Sequence, residues 1–150
     1  MSKRNLVIAI DGPAGSGKST TARLVADRLG FLHVDTGAMY RAVTLKVLES
    51  GVDPDDAAAV SRLAGAAKVE LQRSGFSQRV LLDGRYVTDR IRDTDVTRIV
   101  SAVSSIRMVR EAMVREQRAL SENQGVVLEG RDIGTVVFPN ADLKIFLLAS

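Results

Sequence analysis

Apolar residues fall along this chain in two rhythms. The first is the short unbroken run. Asn5 to Ile10 (NLVIAI) reads as a strand buried on both faces, and Val126 to Glu129 and Leu143 to Leu148 read as central parallel strands. The second rhythm is helical. Ala22, Val25, Ala26 and Leu29 share one face of a helix predicted over Lys18 to Leu29, with Gly30 where a C-terminal cap belongs. A short strand, Phe31 to Asp35, leads to a turn at Thr36-Gly37. Met39, Val43, Val47 and Leu48 then mark a second helix running to the breaker Gly51. Asp53-Pro54 predicts an N-cap followed by proline at the first helical position, opening an alanine-rich helix to Ala66.

The middle of the chain changes character. Val69 to Gln72, Arg79 to Leu82 and Arg85 to Thr88 read as three short strands. They are joined at Ser74-Gly75 and at Asp83-Gly84, the latter a strong tight-hairpin signal. Thr94 to Val103 and Met108 to Leu120 read as helices. Strand and helix alternating in this way predict an α/β fold of three layers, with a mainly parallel central sheet flanked by helices. A small antiparallel insert occupies residues 68–90, and the whole of 1–150 reads as a single domain. Right-handed β-α-β connectivity expects a crossover after a parallel strand. The chain stops at Ser150 directly after one, so the expectation is a partial gene product.

Composition narrows the chemistry by exclusion. The 150 residues include no Cys and one His, which removes disulfides, thiolate nucleophiles and Cys- or His-cluster metal sites, and makes a Ser-His hydrolase a poor fit. The run Leu6 to Ile10 is too short for a signal sequence and far short of the ~18 apolar residues of a membrane helix. Lys and Arg total 21 against 18 Asp and Glu, a net charge of +3 with the basic residues scattered. No nucleic-acid stripe is present. The expectation is a cytoplasmic monomer acting on small molecules, with no membrane and no nucleic-acid partner. Of the basic residues 16 are Arg, whose planar fork suits phosphate. Genomic base composition would produce the same excess.

The strongest signal is Gly12-Pro13-Ala14-Gly15-Ser16-Gly17-Lys18-Ser19, followed by Thr20, which satisfies G-x-x-x-x-G-K-[ST] between a predicted strand and a predicted helix. Glycines let successive N–H groups turn inward around phosphate oxygens, and the helix N-terminus adds positive potential. Lys18 would reach the β- and γ-phosphates and the Ser19 hydroxyl could ligate Mg²⁺, which makes ATP and Mg²⁺ the expected cofactors. There is no N-K-x-D base-reading motif, and the D-x-x-G pattern occurs only as Asp27 to Gly30 at the end of a predicted helix and not as a switch, so a GTPase is disfavoured. The third core strand ends in Glu129-Gly130 rather than the Asp-Glu of an ATPase motor. A kinase for a small acceptor is the favoured class.

Two further segments follow core strands, at the carboxyl edge where ligands bind in such sheets. In Asp35-Thr36-Gly37-Ala38-Met39-Tyr40-Arg41, Arg41 lies one turn into a helix, ready either to clamp a phosphate or to stand as a solvated surface residue, with Asp35 a helix cap. In Gly130-Arg131-Asp132-Ile133-Gly134-Thr135, a glycine-bounded loop offers an anion-binding Arg beside a carboxylate, or a local Arg–Asp ion pair. Taken alone, Ser101 reads as a helix-surface hydroxyl, Arg110 as a partner of Glu111 or Glu116, and His33 as a strand residue without chemistry. Met39, Met108 and Met113 read as core filler.

G-P-A-G-S-G-K-S-T, D-T-G-A-M-Y-R, S-A-V-S-S with V-R-E-A soon after, and E-G-R-D-I-G-T-V-V-F-P together resemble the bacterial cytidylate kinases, from Asn5 to Ser150. The insert over 68–90 resembles their enlarged monophosphate-binding region. The resemblance implies a phosphate-loop kinase fold and transfer of phosphate from ATP to CMP or dCMP. ATP phosphates would lie on Gly12 to Thr20. The acceptor nucleotide would meet Asp35, Thr36, Tyr40, Arg41, Ser101, Arg110, Arg131 and Asp132. Of these, Arg41 and Arg131 would take its phosphate, while Ser101, Arg110 and Asp132 would read cytosine. Lys18, Arg131 and Asp132 would form the catalytic set. The family pattern continues past Ser150 with an arginine-rich lid helix and a final strand and helix. Ile106-Arg107-Met108 lacks the proline expected before V-R. The rival readings are a same-fold kinase for UMP or a hydroxy-acid, and a nucleotide-binding fragment without catalysis.

Overall fold

A strand that is apolar on both faces has to be covered on both sides, and β1 (Val7–Asp11) accordingly runs through the interior of a sheet rather than along its rim. The computed structural model describes residues 5–74 and 77–148, so the Gly75 half of the predicted Ser74-Gly75 turn lies outside the described residues. The chain divides into two compact units, Met1–Thr36 with Gln117–Ser150, and Gly37–Glu116. Further along the chain are α1 (Lys18–Leu29), β2 (Leu32–Asp35), α2 (Thr36–Ser50), α3 (Ala57–Ala66), β3 (Val69–Ser74), β4 (Ser77–Leu82) and β5 (Arg85–Tyr86). Then come α4 (Thr94–Ser104), α5 (Arg107–Leu120), β6 (Val126–Gly130) and β7 (Leu143–Phe146).

The first unit holds a four-stranded, wholly parallel sheet in the order β2-β6-β1-β7. Its register sets Asp11 opposite Gly130 on one side and Phe146 on the other, and Asp35 opposite Glu129. Three strands therefore end level at the carboxyl edge, and the segments after β1, β2 and β6 all leave from it. Ala22 and Ala26 of α1 pack with Ile8, Ile10, Phe31 and Val127 in a buried cluster closed by Leu6, Val25, Ile145 and Leu147. Gly30 ends α1 in the left-handed conformation at φ 69°, with its N–H on Ala26 O, as its position predicted.

Four local expectations are settled or corrected by the structure. Thr36-Gly37 is no turn: the chain passes straight from β2 into α2, because Thr36 is buried and its hydroxyl donates to Glu129 O at 2.7 Å. The segment after β6 is not an open loop but a single turn of π-helix over Ile133–Val137. Leu143 to Leu148 is not a central strand among the described residues. β7 pairs with β1 alone, and Phe146 is 65% exposed. Met39 and Met113 are fully buried as expected, but Met108 is 52% exposed.

The second unit carries the antiparallel insert, order β3-β4-β5. Asp83 and Gly84 both sit at positive φ, 50° and 83°, as a two-residue hairpin between Leu82 and its partner Arg85 demands. Asp83 also accepts from Lys46 Nζ at 2.7 Å and from Lys68 N–H at 2.9 Å, tying the hairpin tip to α2 and to the start of β3. β5 stops at Tyr86, sooner than the pattern suggested, yet Val87 N–H still reaches Val80 O and Thr88 Oγ1 accepts from Val80 N–H. The cap of α3 is Asp56, whose carboxylate accepts from Ala59 N–H. Asp53 is occupied in its own turn, accepting from Asp55 N–H at 2.9 Å.

Before α4, a 3-10 turn (Arg90–Arg92) places Arg90 in a two-pronged pair with Asp95, 2.7 Å at each prong. That hydrogen-bonded fork holds the Asp95 carboxyl down at about 2. A carboxyl whose folded value lies below its unfolded one stabilises the fold at pH above the unfolded value, and the contribution is lost as pH falls toward the folded value. Asp95→Asn should therefore lower the melting temperature at neutral pH. The gap from wild type should close between roughly pH 4 and pH 2 in thermal melts across that range.

Candidate functional site

Between β1 and α1 the chain must reverse direction without covering the helix N-terminus. Gly15 (φ 78°) and Gly17 (φ 82°) take the left-handed conformation this needs. Gly17 is the N-cap residue of α1, and no side chain caps that end. Gly12 is required for space. A Cβ there would lie 2.6 Å from Leu147 O and 2.9 Å from Ser16 Oγ. Pro13, Ala14 and Gly15 are exposed, and Lys18, Ser19 and Thr20 form the first turn of α1. The Ser16 hydroxyl is buried within this loop without a protein partner.

Beneath this loop lies a residue that the strand pattern alone did not single out. Glu129, at the end of β6, is 3% exposed. Its carboxylate accepts a very short hydrogen bond from Ser19 Oγ on one oxygen and pairs with His33 Nε2 on the other. Burial pushes the Glu129 carboxyl up. The hydrogen bonds from His33 and Ser19, with the attraction of His33 and Lys18, outweigh it and hold the group below its ordinary value. His33 thus has a part, against the expectation that it is an inert strand residue: its ring pairs with the buried Glu129 carboxylate. Ser19 Oγ and the Glu129 carboxylate form a hard oxygen pair of the kind Mg²⁺ takes when phosphates supply its remaining ligands, so these residues fit that ion.

The second unexpected residue is Asp11, which ends β1. It is 8% exposed and accepts from Ile133 N–H and Gly134 N–H, at 2.8 Å each. These bonds fix the turn after β6 that presents Arg131 and Asp132. Both side chains are exposed, and among the described residues neither makes a hydrogen bond or ion pair, so the local Arg131–Asp132 pair is not formed. The signal for both acids was available in the sequence. VIAID ends an apolar strand on a carboxylate and VVLEG carries one at its penultimate position, where central strands cannot expose it to water, and such a group requires donors.

The remaining candidates divide between the units. Asp35 ends β2 and Thr36 is buried against β6, both in the first unit. In the second, Tyr40 and Arg41 lie in the opening turns of α2. Arg41 is not a loose surface residue: Nη1 donates to Ile91 O at 3.0 Å and to Thr97 Oγ1 at 2.9 Å. Ser101 is exposed on α4, as read. Arg110 serves neither Glu111 nor Glu116. It donates to Ser104 O and Ser105 O at the end of α4, where the last carbonyls lack helical partners, while Glu111 pairs with Arg107.

The family model for cytidylate kinase matches residues 8–150. The chain belongs to the cytidylate kinase family. It is 53% identical over 98% of its length to a cytidylate kinase of Symbiobacterium thermophilum, and 56% identical over 95% to one of Pelotomaculum thermopropionicum. It is also 48% identical over 98% of its length to a bifunctional pantoate ligase/cytidylate kinase of Prochlorococcus marinus. The chain spans 66% and 64% of the length of the first two relatives and 29% of the third. No helix among the described residues is long and apolar enough to cross a membrane.

Ser19 Oγ and His33 Nε2 both hydrogen-bond the buried Glu129 carboxylate, which offers an acceptor oxygen to each. Glu129→Gln keeps the volume but turns an NH₂ toward one of them. It should lower unfolding free energy by about 1–3 kcal/mol, read by urea denaturation at pH 7.

Proposed function

We propose that the whole protein transfers the γ-phosphate of ATP to CMP or dCMP, giving ADP with CDP or dCDP. The observation that carries this reading is the arrangement at the carboxyl edge of the parallel sheet. A phosphate loop with Lys18 and Ser19 follows β1, and a rigid turn after β6 offers Arg131 and Asp132 with their side chains unengaged. Membership in the cytidylate kinase family and the names of the relatives support the acceptor.

In this reading the backbone N–H groups of Gly12 to Thr20 and the Lys18 ammonium hold the ATP phosphates. Ser19, with Glu129 behind it, would hold Mg²⁺, and that ion would supply neutralisation of phosphate charge. An acceptor phosphate oxygen attacks the γ-phosphorus as the bond to the β,γ-bridging oxygen breaks, and ADP departs with that electron pair. No covalent enzyme intermediate is needed. Arg131 binds the acceptor phosphate, and Asp132 accepts from the cytosine amino group. Uracil would set a carbonyl against that carboxylate and leave both unpaired.

From the second unit, resemblance assigns Arg41 to the acceptor phosphate, Ser101 and Arg110 to the base, and Tyr40 to the acceptor nucleotide. Asp35 and Thr36 of the first unit complete that set. The Thr36 proton is already given to Glu129 O, which leaves its hydroxyl oxygen as an acceptor. The same reading takes the enzyme to be a cytoplasmic monomer.

The test is kcat/KM of the complete gene product for CMP, dCMP, UMP and AMP. CMP and dCMP should lead, and Asp132→Asn should cut the preference for CMP over UMP by roughly 10- to 100-fold. A wild-type preference for UMP or AMP would refute the assignment.

A further inference from the structure

The turn that carries Arg131 and Asp132 is gripped at both ends by side chains from distant parts of the first unit. A helical turn leaves its first N–H and last C=O groups without partners, and Asp132, in the N-cap position, makes no side-chain cap. Asp11 does that work from across the sheet. Ile133 N–H donates to Oδ1 and Gly134 N–H to Oδ2, at 2.8 Å each. Two donors on two separate oxygens is a demand that an amide cannot meet. At the other end, Arg118 Nε donates to Val137 O at 2.9 Å and Nη2 to Val136 O at 3.2 Å. An anion at the N-terminal end and a cation at the C-terminal end match the direction of the peptide dipoles in the turn.

The turn itself is short. Val136 N–H bonds Asp132 O at 2.9 Å and Phe138 N–H bonds Ile133 O at 2.7 Å. One turn of helix is not stable alone in water, so its shape depends on what holds it. Gly130 sits where there is no space for a side chain, since a Cβ there would lie 2.7 Å from Thr36 Oγ1, and at Gly134 a Cβ would fit tightly, 3.2 Å from Lys144 Cδ.

We propose that Asp11 and Arg118 are positioning residues. Together they preform the π-turn and set the register in which Arg131 meets the acceptor phosphate and Asp132 meets the base. This rests on the acceptor roles of Arg131 and Asp132 proposed above. It adds that base selectivity is built before any nucleotide binds.

The experiment uses the complete gene product, with Arg118→Met, Arg118→Lys and Asp11→Asn compared with wild type. KM and kcat are measured for CMP and UMP at saturating ATP, together with KM for ATP. Amide hydrogen exchange is followed in the ligand-free wild type. Arg118→Met should raise KM for CMP roughly tenfold and shrink the CMP-over-UMP ratio by a similar factor. The larger share of the effect should fall on KM rather than kcat, and KM for ATP should hold. Arg118→Lys should recover part of the loss, because an ammonium reaches one of the two carbonyls. Asp11→Asn should shift CMP in the same direction.

The Ile133 and Gly134 amides should exchange slowly without ligand. Rapid exchange there, or an unchanged CMP-over-UMP ratio in Arg118→Met, would overturn the proposal. If Asp11→Asn does not fold, the Arg118 variants and the wild-type exchange decide it. If wild type itself does not prefer CMP, the acceptor assignment falls, while the exchange at Ile133 and Gly134 still judges the clamp.

Discussion

Two carboxylates buried at the carboxyl edge of a parallel sheet organise this molecule. Leaving a carboxylate in the interior without donors costs several kcal/mol, so each must recruit partners. For Glu129 these are the Ser19 hydroxyl and the His33 ring; for Asp11 they are the backbone N–H groups of Ile133 and Gly134. In both cases the donors lie in segments that leave the carboxyl edge of the sheet or in a neighbouring strand. Satisfying a buried charge and shaping the site are here one and the same requirement.

The strand order makes this economical. β1 lies between β6 and β7, so Asp11 ends beside Gly130 and can reach the turn that follows it. β6 lies between β1 and β2, so Glu129 can take Ser19 from the helix after β1 and His33 from β2. Thr36 adds a fourth tie, from the start of α2 to Glu129 O. A different order of the same strands would separate these groups and leave the acids without donors.

The second unit solves its polar problems locally. The Asp83-Gly84 hairpin is held through the Asp83 carboxylate, and Arg90 is locked to Asp95 across the entry to α4. Arg41 and Arg110 each spend one terminal nitrogen on backbone oxygens of that unit. These bonds tie each guanidinium to the backbone of its own unit.

What was legible in the sequence was whatever local stereochemistry decides. The apolar runs placed three strand segments, two of them central, helical spacing placed α1 to within its ends, and Asp83-Gly84 placed the hairpin, because only such residues adopt positive φ at low cost. The phosphate loop was legible for the same reason, with glycines at φ 78° and 82° before a lysine that opens a helix. Misreadings arose where a distant partner changed a local preference. Thr36-Gly37 looked like a turn until Glu129 O took the Thr36 proton, and His33 looked inert until Glu129 lay beside it. The segment from Gly130 looked like a loop until Asp11, more than a hundred residues earlier, capped it as a π-turn. By itself the sequence determined the elements, the phosphate loop and the family. Only the tertiary structure decided which donors meet the buried carboxylates, because strand order and register, not spacing along the chain, bring those atoms within hydrogen-bond reach.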